Sequence, residues 1–336
     1  MTIAARMEKH AEAWPSPGVS ASLETPDRLR LIAGSFDAVV PLERSSDGQQ
    51  RLVLPDLAPP LLEPSVHVVV EALSAADRDC GLVRLDNATA ITLPFAERHE
   101  NSLIVDPRAF WQWPQHWMPA AGYPLPQLHV LTNGRYHPKR PAKQQGVVYR
   151  RHIPWLGQEL TFRVAGPDSD LNDFHHWMND EQVNVIWEDA GDRDKHRKIL
   201  EDRRDDPHML ALIASFDGAS FGYFEVYWAK ENRIGPYYDA DDYDRGWHVA
   251  IGEPAYRGKQ WIIAWLPSLM HFMFLDEART RRIVGEPRAT HEQQIRNLDR
   301  SGFAKVKHFD FPHKRALLVM LTRERFFGDQ LWTPAP

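Results

Sequence analysis

Between Gly246 and Pro287 the chain reads GWHVAIGEP, AYRGKQ and WIIAWLPSLMHFMFLDEA, and then, after a charged break, RRIVGEP. This is a strand, a short glycine-bearing loop, a long apolar helix and a second strand. A strand that returns through a helix to a neighbouring strand forms a parallel pair, so few folds outside the layered α/β class remain open. The loop between strand and helix has its own chemistry. A helix start aims several backbone N–H groups at one point and adds roughly half a positive charge there. Gly258 lets the backbone approach a ligand without a Cβ, and Arg257 and Lys259 add full charges. Together with Gln260 and Trp261 they form a candidate cradle for a pyrophosphate. Pro267 inside the helix predicts a kink.

The rest of the chain can be placed around this block. With 336 residues, about two domains are expected. Residues 1–25 read as a flexible leader. Residues 26–140 read as a β-rich α+β lobe, with RLRLIAGSFDAVVPL, QRLVLP, SVHVVVEAL and AITLP as strands or short elements, and SSDG at 45–48 as a turn. The lobe ends in a Pro- and Trp-rich connection over 107–145 that its tryptophans could pack. From Gly146 the order is β β α α β β β α β α β β. It includes a helix in DSDLNDFHHWMND capped by Asp168 or Ser169, a charged helix over 191–206, and a hairpin turned by the Asp-Gly at 217–218.

Composition excludes several classes. The single cysteine, Cys80, allows no intramolecular disulfide and no cysteine-cluster metal site, and it reads as a buried structural thiol. A net charge of −6 argues against a nucleic-acid partner. No apolar run reaches membrane-spanning length and no secretory pattern opens the chain, so a cytoplasmic location is expected, with no metal.

Several blocks carry a resemblance. HVAIGEPAYRGKQWIIAWL followed by RRIVGEPRATHEQQIRNLDRSGF resembles the acyl-CoA-binding core of the GNAT acetyltransferases, which carry an Arg/Gln-x-x-Gly-x-Gly/Ala loop. Gln260 departs from the second small position of that loop. VVYRR, FRVAGPDSD, HHWMND, VIWEDAG, FGYFEVYWAKENRIG, YDRGWH, EPRATHEQ and DFPHKRALLVM, in order over about 140–327, resemble the siderophore-biosynthesis branch, which acylates hydroxylamines as the aerobactin-type N6-hydroxylysine O-acetyltransferases do. The resemblance implies a GNAT fold over 141–330: a central mixed, twisted sheet with flanking helices behind the β-rich lobe. It also implies acetyl-CoA or another short acyl-CoA as co-substrate, a small hydroxylamine acceptor and a hydroxamate product for iron acquisition. A homodimer and contact with other siderophore-pathway enzymes are compatible with it.

His248 lies mid-strand and Glu286 at the tip of the next strand, so the two can face each other where parallel strands splay. The resemblance implies the same pair. Glu286 is assigned as general base, with His248 orienting the acceptor or sharing the proton; the converse order stays open. Backbone at Val249, Ala250 and Ile251 is expected to pair with the pantetheine amides, and Arg296 is a candidate for a CoA phosphate. Leu298 stands where many GNAT enzymes place a tyrosine acid, so no such acid is expected. His176, Trp177, Asn179, Trp187 and Glu188 are candidates for the acceptor site, the tryptophans burying methylenes and Asn179 bonding the N–OH. Lys314 or Arg315 could meet an amino-acid carboxylate. Two other readings remain. One is a plain-amine N-acetyltransferase, such as an aminoglycoside enzyme, served by Glu188, Asp189, Asp241 and Asp242. The other is a non-catalytic CoA-binding or scaffold protein.

Overall fold

A computed structural model describes residues 18–46, 48–120 and 126–334. The chain divides into two compact units. The first holds residues 1–120, 153–157 and 327–336, and the second holds 121–152 and 158–326.

The first unit carries a seven-stranded sheet of order β1-β2-β3-β4-β5-β7-β6. Its strands are β1 (Val19–Thr25), β2 (Arg28–Ala33), β3 (Phe36–Arg44), β4 (Gln50–Val53), β5 (Val83–Asp86), β6 (Ala96–His99) and β7 (Ser102–Val105). Among the described residues two α-helices accompany it, α1 (Pro59–Ala76) and α2 (Pro107–Phe110). The leader expected over 1–25 gives way at Val19: residues 1–17 lie outside the described residues, and Val19–Thr25 pairs antiparallel with β2. Asp47 of the expected SSDG turn is likewise outside them. SVHVVVEAL is helical, not extended. Leu62, Ser65, Val66, Val69, Val70 and Leu73 are buried at helical spacing, and prolines fill the first turn, where their missing N–H costs nothing. AITLP is irregular chain. The tryptophans of the connection do pack: Trp111 and Trp117 stack at 4.2 Å, and Trp111 and Trp332 at 4.8 Å. Cys80 is buried, and burial pushes its thiol up to about 12, as suits an inert packing thiol.

In the second unit a two-stranded hairpin, β8 (His129–Thr132) and β9 (Arg135–Pro138), precedes an eight-stranded sheet of order β10-β11-β12-β13-β14-β15-β17-β16. These strands are β10 (Val147–Ile153), β11 (Gln158–Val164), β12 (Met209–Phe216), β13 (Ala219–Trp228), β14 (Arg245–Ile251), β15 (Arg282–Gly285), β16 (Ala304–Asp310) and β17 (Arg315–Thr322). Helices α3 (Leu171–Met178), α4 (Glu181–Trp187) and α5 (Arg193–Asp205) lie between β11 and β12; α6 (Lys259–Asp276) and α7 (Glu292–Arg300) flank β15; α8 (Arg323–Gly328) follows β17. The α3 N-cap is Asp170, one residue past the expected pair. Its carboxylate takes the Arg163 guanidinium and the Gly166 amide, which fixes the turn ahead of the helix.

The two faces of this sheet are buried differently. On one, Phe174, Trp177 and Met178 of α3 and Leu200 of α5 pack on Ile213, Tyr223 and Ala250. On the other, Phe224 meets Trp265, and Phe162 meets Phe272, both partners from α6. Each such aromatic contributes about 1.5–3 kcal/mol by burial, which holds the long helix to the sheet through Pro267. Helix α6 runs unbroken across that proline.

The decisive feature for function lies at β14. Along β13 it pairs over its whole length, from Gly222↔Ile251 to Trp228↔Arg245. Along β15 it pairs only at Arg245↔Ile283 and Gly246↔Val284. Of the pairings described in this sheet, only this one is parallel. Beyond Gly246 the two strands part, and the remainder of β14 turns its edge to an opening. Among the described residues no helix is long and apolar enough to cross a membrane.

Candidate active site

The parting of β14 and β15 brings His248 and Glu286 together. His248 Nε2 lies 3.2 Å from Glu286 Oε1. A second carboxylate completes the arrangement: Glu225, directly across the β13–β14 ladder from His248, places Oε2 3.1 Å from Nδ1. The sequence reading missed Glu225. Its signal was present, a lone acidic residue in FGYFEVYW, where the neighbours alternate between two buried faces. Such a charge is retained in a core only with partners, and Glu225 accepts from Arg203 Nε at 2.7 Å and from the Tyr223 hydroxyl at 3.1 Å.

Glu286 is equally well supplied. Its carboxylate accepts from the Tyr227 hydroxyl at 3.0 Å and from Arg233 Nη2 at 3.1 Å, and Lys314 Nζ donates to its carbonyl at 2.8 Å. Lys314 thus belongs to the site's electrostatics, while Arg315 is exposed. Burial alone would favour the neutral form of all three groups at the centre. Burial opposes ionisation of Glu225 and Glu286, but hydrogen bonding and charge from His248 outweigh it. Glu225 is held down at about 2, and Glu286 falls well below the usual carboxylate range. Burial likewise lowers His248, yet its bonds to the two glutamates win and raise it to about 9.

The glycine loop has the form of an anion cradle. Gly258 stands at φ +116°, a backbone conformation that favours glycine, and a Cβ there would meet nothing within 4 Å. The start of α6 has no side-chain cap, and Lys259 and Gln260 are exposed beside it. Trp261 is half-buried against Tyr256 and Phe216 and braces the loop. Arg257 does not stand free as expected. Its guanidinium turns back onto the Ile251 and Gly252 carbonyls, Gln182 Oε1 and Asp180 Oδ1, tying the loop to α4. The carbonyls of Val249 and Ile251 face the opening, where Trp187 Nε1 (3.3 Å) and Arg257 reach them; strand alternation directs Ala250 to its β13 partner Tyr223. Arg296 is exposed and paired with Glu292 and Gln293 on its own helix. Leu298 is buried.

The expected acceptor residues separate. Trp187 sits beside the pair, edge-on to the His248 ring at 6.3 Å. Glu188, in the left-handed region, reaches across to Arg288 at 3.0 Å. Trp177 is core instead. It is buried, bonds Glu253 Oε1 at 2.8 Å, and packs so tightly on Gly252 that a Cβ there would come within 2.0 Å of its ring. Asn179 is engaged by backbone, bonding the His175 and Gly191 carbonyls and the Gly191 amide. His176 is exposed on α3. Asn179 looks free in sequence because nothing local reveals that Gly191, in the loop before α5, folds onto it.

One other cluster draws attention. His137, His208 and Glu231 bring three ligand atoms within 4.8 Å of one another. Arg140 grips both oxygens of Glu231, at 2.5 and 2.7 Å, and stacks on Trp228. The carboxylate's charge is therefore already met, and the cluster is a buried ion-pair network of the second unit.

Comparisons with known proteins place the chain in a family. The acetyltransferase (GNAT) domain family matches residues 166–311. The N(6)-hydroxylysine O-acetyltransferase of Escherichia coli is 37% identical over 254 residues, covering 72% of this chain and 80% of that one. An N(5)-hydroxyornithine:cis-anhydromevalonyl coenzyme A-N(5)-transacylase of Beauveria bassiana is 42% identical over 219 residues, covering 63% of this chain and 48% of its own length. An uncharacterised protein from Bacillus halodurans superposes with a TM-score of 0.53 at 28% identity, over 56% of this chain and 96% of its own. With its parted strands, its glycine loop and these relatives, the chain belongs to the GNAT acyltransferase family, in the branch that holds the hydroxylysine and hydroxyornithine acyltransferases.

Proposed function

We propose that the protein transfers a short acyl group, acetyl by default, from coenzyme A to the nitrogen of an N-hydroxylated amine such as N6-hydroxylysine, giving a hydroxamate. The observation that carries this reading is the Glu286–His248 contact at the open edge of β14, beside an uncapped helix start. The residues suit an acyl-CoA. The open edge at Val249 and Ile251 suits an extended amide arm, and the Gly258 loop with Lys259 and Gln260 suits phosphates. When bound, the thioester supplies an already activated carbonyl, so no covalent enzyme intermediate is needed.

The acceptor's chemistry explains how modest the base is. A lysine ammonium, with a pKa near ~10.4, would have to lose a proton at a cost of about 5 kcal/mol at pH 7. A hydroxylamine nitrogen is largely neutral there. Its proton becomes strongly acidic only as the nitrogen gains a bond to carbon, and a carboxylate held at low pKa then suffices to take it. Glu286 accepts that proton, and the Glu286–His248 pair returns one to the departing sulfur. Trp187 gives the acceptor's methylenes an apolar wall next to the pair, at ~0.8 kcal/mol for each one buried.

The plain-amine reading finds less support. Asp241 and Asp242 precede the start of β14, at the end away from the opening, and Asp242 is occupied by Lys230 and His129. The test is thiol release from acetyl-CoA with N6-hydroxylysine, with lysine and with no acceptor. Turnover with the hydroxylamine alone is expected; equal turnover with lysine would displace the proposal, and no turnover with either would favour a non-catalytic role.

A further inference from the structure

Glu225 lies outside the pair through which the proton is proposed to pass, yet the fold gives it unusual support. It sits mid-strand between Phe224 and Val226, fully enclosed, where an unpaired carboxylate would cost several kcal/mol. Helix α5, which buries His196 and Leu200 and otherwise turns charged residues to solvent, sends Arg203 in to meet it at 2.7 Å. Its Oε2 faces His248 Nδ1 at 3.1 Å, while Glu286 Oε1 faces Nε2 at 3.2 Å. An ionised carboxylate only accepts hydrogen bonds. With a carboxylate on each nitrogen, both ring nitrogens must donate, and a histidine that donates twice is an imidazolium.

Resting on the acyltransferase reading above, we propose that Glu225 is a positioning residue for the transfer: it fixes the His248 ring and, opposite Glu286, keeps it doubly protonated, which leaves Glu286 as the group that receives the acceptor's proton. On this proposal the direction that the sequence left open runs from the acceptor to Glu286. The acceptor nitrogen's lone pair forms the C–N bond, the C–S bond breaks with its electron pair on sulfur, and the nitrogen's proton passes to Glu286. Sulfur then takes one proton, from Glu286 directly or from His248 Nε2 with replacement by Glu286. The amino acids end as they began, and the products are a hydroxamate and a free thiol.

The surroundings of the ring are consistent with this charge. From β13 come Glu225 and the Tyr227 ring at 4.9 Å; from the tip of β15 comes Glu286; from the end of α4 comes Trp187. Among the described residues the cations paired here stand behind the carboxylates: Arg203 on Glu225, and Arg233 and Lys314 on Glu286. Farther out, Glu188 and Arg288 pair with each other, and burial, followed by the nearby charges of Arg233 and Lys314, lowers the pKa of His313.

Two measurements test the proposal. In Glu225→Gln the ring loses one carboxylate and gains an uncompensated Arg203 behind it. The alkaline limb of kcat/KM against pH is expected to move down by at least one pH unit, with KM for acyl-CoA changed less than threefold. A uniform loss at every pH, with the limb in place, would show a structural role only and overturn the proposal. Independently of that variant's folding, nitrogen NMR of the His248 ring in the unaltered protein is expected to show an imidazolium at pH 7.5; a neutral tautomer there overturns it. The NMR result needs no turnover, so absence of acyl transfer to any hydroxylamine would count against the function while leaving the charge assignment standing.

Discussion

Replacing His248 by glutamine gives a direct measure of how the three central groups hold one another. The substitution keeps a hydrogen-bonding side chain of similar reach and removes the cation between two buried carboxylates. A histidine raised from an ordinary 6.5 to about 9 adds about 3 kcal/mol of stability. The depressed pKa of Glu225 is the same interaction seen from its other end, so the two are not summed. The sign is fixed by the direction of each shift. The histidine's contribution is complete below pH 6.5 and disappears as pH rises through about 9. The carboxylates' contribution is complete above about 4.5 and disappears as pH falls toward their folded values, about 2 for Glu225. The unaltered protein should therefore be most stable relative to the variant between about pH 4.5 and 6.5. At pH 6, His248→Gln should cost about 3–5 kcal/mol, the range for breaking a buried ion pair from one side. The difference between the two proteins should then shrink by about 3 kcal/mol from pH 6.5 to 9. Urea unfolding at matched pH values, followed by tryptophan fluorescence, measures both curves. A difference that stays constant across that window would refute the charge assignment.

Other outcomes follow from the same geometry. Glu286→Gln should lower kcat by about 10²–10⁴ with little change in KM for the acyl donor, since the group acts on the proton and not on binding; steady-state kinetics with N6-hydroxylysine decides this. Gly258→Val should weaken CoA binding in calorimetry at least tenfold, because φ +116° costs a branched residue about 1–3 kcal/mol and the loop must change shape, and unfolding measurements should show a loss of stability no larger than that strain, since no atom lies near the new side chain. Arg257→Ala should release the loop from α4, seen as faster amide exchange over residues 180–187 and 252–258 with the sheet unchanged, and as a loss of about 1–3 kcal/mol in unfolding measurements.

How much of this was legible in the sequence depended on whether the cause was local. The hairpin of β12 and β13 could be read because Asp217 and Gly218 both take positive φ, and the Asp-Gly pair is built for that turn. His248 and Glu286 could be read because their places, mid-strand on one strand and at the tip of the next, follow from the strand–helix–strand order. The helix over Pro59–Ala76 could not, since its valines favour strands and only tertiary burial at helical spacing overrides them. Arg257 looked like a phosphate ligand, and only the fold shows its donors spent on Asp180, 77 residues earlier. Glu225 was hidden for the opposite reason. A single acid in an apolar strand disturbs no pattern enough to be noticed, and its meaning appears only when the ladder sets His248 across from it.

The separation of β14 from β15 after two pairs has one more consequence. Most sheets finish their own ladders; this one leaves a seam unsewn. A guest whose arm carries amides at strand-like spacing would serve as the missing thread, so each round of turnover pairs the same few peptide groups and then releases them again. The resting protein already caps two of those carbonyls, Val249 with the Trp187 indole and Ile251 with the Arg257 guanidinium, so the guest has only side chains to displace and no main-chain ladder to unpick.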